Sequence, residues 1–165
     1  MRPRVVPLSS EEEVRAKAYV HYAGWKEAYQ GLIDQEYLDA RTLELSEGFA
    51  LRAYREGYKT LLAKVGSHVV GFADYGPCRD GDLSDAGEVY AIYLLGSHHR
   101  QGIGTMLMDE ALACLDQYPR VVVWVLANNG RAISFYRSLG FEFDGGKKEL
   151  MLGAPATELR MVLVR

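Results

Sequence analysis

Glu88-Val89-Tyr90-Ala91-Ile92-Tyr93-Leu94-Leu95-Gly96-Ser97-His98-His99-Arg100-Gln101-Gly102-Ile103-Gly104-Thr105 contains the change of period from which the rest of the chain can be read. Glu88 to Leu95 is short, apolar and aromatic, and reads as a strand. From Gly102 onward Ile103, Leu107, Ala111, Cys114 and Leu115 recur at helical spacing. The turn between them suits a phosphate or pyrophosphate, because the first amides of a helix have no partner within it and the helix dipole adds positive potential there. Glycine lets a ligand approach the backbone without a Cβ in the way. Arg100, with His98 or His99, can add charge-assisted contacts. A dinucleotide-binding turn would carry a third glycine three residues after Gly104, where Leu107 stands; a P-loop would carry Gly-Lys-Ser or Gly-Lys-Thr, which is absent. An anion-binding turn remains, beside the plainer reading that Gly102 and Gly104 merely permit a tight connection.

Downstream, Val121 to Leu126 is almost continuously apolar, as a strand covered on both faces would be. Strand, helix and strand then form one parallel unit with a right-handed crossover. Asn128-Asn129-Gly130 is turn and cap chemistry, Ala132, Phe135, Tyr136 and Leu139 share a helical face, and Gly140 ends that helix. Phe141 to Phe143 and Leu159 to Val164 read as closing strands, with Asp144-Gly145-Gly146 as a turn between or near them.

Upstream, Arg2 to Pro7 reads as a first strand. Ser9-Ser10-Glu11-Glu12-Glu13 supplies a capping hydroxyl and an acidic first turn. Val14, Ala18, Tyr22, Trp25 and Tyr29 then make a buried stripe beside exposed Arg15 and Lys17. Gly31 breaks the helix, and Asp34 caps a further helical region that carries Tyr37, Leu38, Leu43 and Leu45 toward Arg55. Thr60 to Val65 and Val69 to Tyr75 flank Gly66-Ser67 as a hairpin. A polar loop follows, from Gly76 through Asp82 to near Gly87. The expected architecture is α/β with a mixed sheet, one domain over residues 1–165.

The 165 residues are 48% hydrophobic and 25% charged, which matches one compact domain burying roughly 70% of its unfolded surface. A formal charge of −3 disfavours nucleic acid as the main partner and leaves any anion site local. Cys78 and Cys114 are too few for a disulfide framework and lack the neighbours a zinc site needs, so they read as buried or idle thiols. His98 and His99 also lack a third ligand, and no metal is expected. No stretch approaches ~18 uninterrupted apolar residues, so a soluble, cytoplasmic protein with no membrane partner is expected.

Three segments in order, Glu88 to Leu94, His99 to Thr105, and Asn129-Gly130-Arg131-Ala132-Ile133-Ser134-Phe135-Tyr136-Arg137-Ser138-Leu139-Gly140-Phe141, resemble the GNAT superfamily of N-acetyltransferases. Trp25 to Tyr29 and Tyr37-Leu38 are more weakly similar to its bacterial small-molecule members. The resemblance implies a mixed central sheet of about six to seven strands whose central parallel strands splay apart, flanked by about four helices. It implies acetyl-CoA as co-substrate, held with its pantetheine along the backbone of Ile92, Tyr93 and Leu94. The Leu94 amide becomes the candidate oxyanion donor. The amides of Arg100, Gln101, Gly102, Ile103, Gly104 and Thr105 would hold the pyrophosphate, Asn129 would contact the cofactor arm, and Tyr136 would sit near its sulfur. His99 stands where the family signature usually has Arg or Gln. Trp124 stands where some relatives that acetylate protein N-termini carry a glutamate. The resemblance makes a homodimer plausible.

Acetyl transfer to an amine needs a deprotonated nucleophile, a polarised carbonyl and a protonated leaving thiolate. Neutralising an amine with a pKa near 10.4 at pH 7 costs about 4.6 kcal/mol. Glu88 is the first candidate base, since its strand carries the proposed cofactor-binding residues; the plainer reading is a strand-end glutamate. Tyr136 could donate to the thiolate or be a core tyrosine with a satisfied hydroxyl. Arg131 could reach the adenosine phosphates or be solvated. Trp25, Tyr29 and Tyr75 are candidate walls of an acceptor pocket, and Asp34, Asp80 and Asp82 are candidates for an acidic entrance favouring a small cationic amine as substrate.

Overall fold

Helix ends follow local side-chain chemistry. Ser10 accepts from the Glu13 amide and opens α1 (Glu11–Tyr29), whose first turn sets Glu11, Glu12 and Glu13 against the helix dipole. Asp34 caps α2 (Gln35–Ala40) through the Tyr37 amide, and Thr42 caps α3 (Leu43–Arg55) through the Leu45 amide. Gly31, at φ +80°, separates α1 from α2. The region after Asp34 is therefore two helices, which brings the total to five, consistent with the about four that the resemblance implied.

The computed structural model describes residues 1–165. Its strands are β1 (Pro3–Pro7), β2 (Lys59–Val65), β3 (His68–Pro77), β4 (Gly87–Leu94), β5 (Arg120–Leu126), β6 (Glu142–Met151) and β7 (Pro155–Val164); α4 (Ile103–Cys114) and α5 (Gly130–Ser138) complete the set. They form one seven-stranded sheet in the order β1-β2-β3-β4-β5-β7-β6. Every pairing is antiparallel except β4 with β5.

That parallel pair is short. Only Gly87 opposite Val121 and Glu88 opposite Val122 are in register, and beyond them the strands diverge. A bulge contributes, because Asp74 opposes Ala91 while Tyr75 opposes Val89, leaving Tyr90 without a partner and bending β4. The bulge also shifts the side-chain phase. Val89 and Ile92, three residues apart, both pack into the main core under α4, with Leu107, Ala111, Val123 and Phe141. On the opposite face, α1 lies over the sheet through Val20 against Leu62 and Phe72.

Three sequence readings are corrected here. Lys17 is not exposed but 4% accessible, its ammonium 3.0 Å from Asp74 on β3 and 4.8 Å from the Phe72 ring centre. Asp144-Gly145-Gly146 is not the turn between the last strands but an irregularity inside β6, where the register shifts between Phe143 and Lys147. Gly146 is required there, since a Cβ would lie 2.6 Å from the Arg160 guanidinium. Cys114 lies on the outer side of α4 and is exposed, while Met108 joins the buried stripe. No helix is long and apolar enough to cross a membrane.

Candidate functional site

The loop from β4 to α4 begins with a single 3-10 turn, Gly96–His98. Glu27 on α1 accepts the Gly96 amide at 2.8 Å and fastens the turn to the helix layer. Arg100 and Gly102 both adopt left-handed backbone, at φ +59° and +80°, and such turns gather successive N–H groups into a concave surface. Met106 is the first amide of α4 to meet a helical acceptor, the Gly102 carbonyl at 3.1 Å. The amides of Ile103, Gly104 and Thr105 therefore have no partner in the helix. Side chains cap α1, α2, α3 and α5, whereas none caps α4. The chain leaves this one helix start open. The Gln101 side-chain amide reaches back to the Ser97 carbonyl at 3.4 Å.

His99 ties this loop to its surroundings. Its Nδ1 lies 2.9 Å from the Arg131 guanidinium, and its Nε2 lies 2.8 Å from the Leu94 carbonyl oxygen. A guanidinium only donates, so Nδ1 accepts, Nε2 carries the proton, and the tautomer follows from the network. The sequence placed His99 among phosphate-binding residues; the structure joins it to the end of β4 and to α5.

Leu95 donates its amide to Val70 on β3 at 2.9 Å. Amides alternate along a strand, so those of Leu94 and Ile92 point away from β3 into the gap that β5 has left. Tyr93, between them, turns its side chain to the α1 face, where its hydroxyl and that of Tyr29 lie 3.0 Å apart. Burial raises the pKa of both phenols.

Across the gap, α5 presents Tyr136, 8% accessible, its ring against Phe135 and Phe141. No enclosed side-chain polar atom lacks a partner, and the Tyr136 hydroxyl has none within the protein, so it reaches open space. Burial pushes its pKa well up, which keeps it a protonated donor at neutral pH. Asn129 spends its side-chain oxygen on capping α5 through the Ala132 amide at 3.2 Å, leaving its NH2 group free of that bond.

The α1 face of the sheet carries the charged groups. Glu88 is enclosed, one carboxylate oxygen accepting the Arg79 amide at 3.1 Å and the other the Arg79 guanidinium at 3.0 Å. Arg160 on β7 pairs with Asp80, Asp82 and Asp144 at once. Trp124 donates its indole N–H to Asp80 at 3.0 Å, and the Lys148 ammonium sits 3.8 Å from the Trp124 ring centre. The expected acidic entrance takes another form: Asp80 and Asp82 share the Arg160 guanidinium with Asp144, and Asp34 caps α2. Tyr75 packs against the α4 core and does not line the α1 face. Trp25 packs on Tyr29 and Tyr37 and under the Arg41 guanidinium. One carboxylate on this face escaped the sequence reading. Glu158 on β7 stands opposite Leu126, the last residue of β5, and its only sequence signal is its alternation with Arg160 and Val162.

The profile of the acetyltransferase (GNAT) family matches residues 18–141. The chain is 32% identical over 155 residues to an uncharacterized N-acetyltransferase, YuaI, of Bacillus subtilis (strain 168), covering 87% of this chain and 88% of that one. Among solved structures, the PaiA N-acetyltransferase of Thermoplasma acidophilum in complex with coenzyme A superposes with a TM-score of 0.78 at 20% identity, with both chains covered in full. The ribosomal-protein-S18-alanine N-acetyltransferase of Escherichia coli superposes at 0.73 and 17% identity, over 99% of this chain and 94% of that one.

Proposed function

The chain belongs to the GNAT family of acetyltransferases, and on that premise we propose that it moves the acetyl group of acetyl-CoA directly to a primary amine, in a ternary complex. The observation that carries the reading is the adjacency of an uncapped helix start, at Ile103 to Thr105, and a strand edge, at Ile92 to Leu94, that β5 has left unpaired. Together they form a cradle of backbone donors that fits a pyrophosphate and an amide-bearing arm. Acetyl-CoA supplies the electrophilic thioester and the leaving thiolate.

The remaining work falls to this chain's residues. Amides from Arg100 to Thr105 bind the pyrophosphate, with Arg131 at its edge, and the backbone of Ile92 and Leu94 and the Asn129 amide group hold the arm, while the Tyr93 backbone between them is turned to β3. The Leu94 N–H donates to the thioester oxygen as charge develops there, where a preorganised donor is worth most. As the amine nitrogen bonds to the carbonyl carbon and the C–S bond breaks, the Tyr136 hydroxyl gives its proton to the sulfur and recovers one from solvent. The amine's proton leaves to Glu88. Because Arg79 holds both Glu88 oxygens and Glu88 lies at the opposite end of β4 from Leu94, that transfer runs through a relay of several waters. A small cationic amine is the preferred acceptor.

The test is acetyl-CoA-dependent thiol release against polyamines, aminoglycosides, amino acids and short peptides. Release with at least one amine is expected. Thermal stabilisation by CoA with no release across the whole panel would replace transfer with an acyl-CoA-sensing role.

A further inference from the structure

On the α1 face of the sheet each carboxylate contacts a cation, three of them sharing one guanidinium, with a single exception. Lys17 holds Asp74, Arg79 holds Glu88, and Arg160 holds Asp80, Asp82 and Asp144. Lys148, the cation nearest Glu158 across the β6–β7 ladder, places its ammonium 3.4 Å from Asp80 instead. Glu158 accepts no hydrogen bond and forms no ion pair. It is half-buried, so water compensates its charge only in part.

Its position is informative as well. Leu126 opposite it ends β5, just before the Asn129 cap and the helix that carries Tyr136. Tyr29 from α1 lies within electrostatic reach of both Glu158 and Tyr136. Trp124, two residues along β5 on the same face, offers a ring that already attracts cations. A carboxylate without a partner, beside aromatic walls and at the same end of the gap as Tyr136, matches an alkylammonium.

We propose that Glu158 is the specificity-determining residue of the acceptor site, receiving an ammonium group of a primary alkylamine acceptor. This deepens the transfer reading above and rests on it. Burial raises the proton affinity of Glu158, with Glu88 adding to the rise and Lys148 and Arg79 opposing it. These groups, with Tyr29, face it from β4, β6, the loop after β3 and α1. An alkyl diamine stays protonated well above neutral pH, so a fall in its affinity on acidification reports the carboxylate.

The experiment is calorimetric titration of 1,4-diaminobutane into the CoA-saturated protein, for wild type, Glu158→Gln and Glu158→Asp. Glu158→Gln should weaken diamine binding by about tenfold or more, with CoA affinity unchanged and Glu158→Asp intermediate. In turnover, the same variant should raise KM for the diamine and leave kcat within about threefold. Wild-type diamine affinity should fall as the pH is lowered, while CoA affinity should not. Equal diamine affinity in wild type and Glu158→Gln, pH-independent binding, or no binding by wild type would each overturn the assignment. Glu158-dependent binding without any thiol release would support it and overturn the transfer reading instead.

Discussion

His99 donates from Nε2 to the carbonyl oxygen of Leu94 across 2.8 Å, so the loop that opens α4 is fastened to the last residue of β4. The two backbone regions assigned to acetyl-CoA, the turn and the strand edge, are held in fixed relation by one imidazole. The same ring receives Arg131 from α5 on its other side. His99→Ala should therefore loosen the cradle without unfolding the sheet. Acetyl-CoA affinity should fall about tenfold, near the worth of one or two hydrogen bonds, and His99→Gln, which can still donate to Leu94, should recover part of it in a direct titration.

Gly102 occupies φ +80° with nothing within 4 Å of where a Cβ would stand. Its requirement is conformational rather than steric. Gly102→Ala should cost about 1 to 2 kcal/mol of stability through the left-handed penalty, read from chemical denaturation, and should weaken CoA binding further by disturbing the turn.

The Tyr136 hydroxyl has no partner to lose, so Tyr136→Phe should leave the melting temperature nearly unchanged. Under chemistry-limited conditions kcat should drop by about a hundredfold, the usual scale of general acid assistance. Unchanged kcat would remove Tyr136 from the reaction.

Glu88→Gln separates proton transfer from cofactor binding. Turnover should fall at least about tenfold, while acetyl-CoA affinity stays at the wild-type value, because the residue lies on the paired end of β4 and not at the turn. A wild-type rate across pH in this variant would show Glu88 to be only the anchor for Arg79.

His21 on α1 packs against Phe72 and Tyr93 at 5.3 and 5.0 Å. Burial first, then Arg41 and Lys17, lower its pKa from 6.5 to about 3. The unfolded chain binds this proton more readily than the folded one, so the contribution is complete above pH 6.5 and is lost as the pH falls toward 3. The difference in unfolding free energy between wild type and His21→Gln should shift by a few kcal/mol across that window, wild type losing more in acid. A pH-independent difference would show that His21 is protonated in place.

Local chemistry made much of this fold legible. Ser10, Asp34, Gly31, Gly66, Asn129 and Gly140 each mark an end or a turn at the position the structure gives. The strand, turn and helix around Gly102 are where the period of the sequence changes. What stayed hidden depends on partners far along the chain. Lys17 looks like a solvent-facing residue of α1 until Asp74 is brought beneath it. Asp144-Gly145-Gly146 has the composition of a turn, but Arg160 on the next strand needs that space and that carboxylate. Asp80 and Asp82 look like a solvated acidic loop until the same arginine is brought against both. Glu158 belongs to no motif, and only its lack of a cationic contact, among carboxylates that each have one, makes it stand out.

The contact between β4 and β5 covers two residue pairs, at Gly87 and Glu88. Mechanically, this leaves a wedge, with Val89 to Leu94 on one side and Val123 to Leu126 on the other, between two half-sheets, β1-β2-β3-β4 and β5-β7-β6, joined at a hinge near its closed end and bridged elsewhere by helices and by the loop that carries Asp80 and Asp82. A molecule lying along Ile92 to Leu94 and reaching toward α5 acts as a splint across that wedge. The two halves should then behave as separate opening units in the free protein and as one when the cofactor is bound, with hydrogen-exchange protection rising in β5 and β7 together.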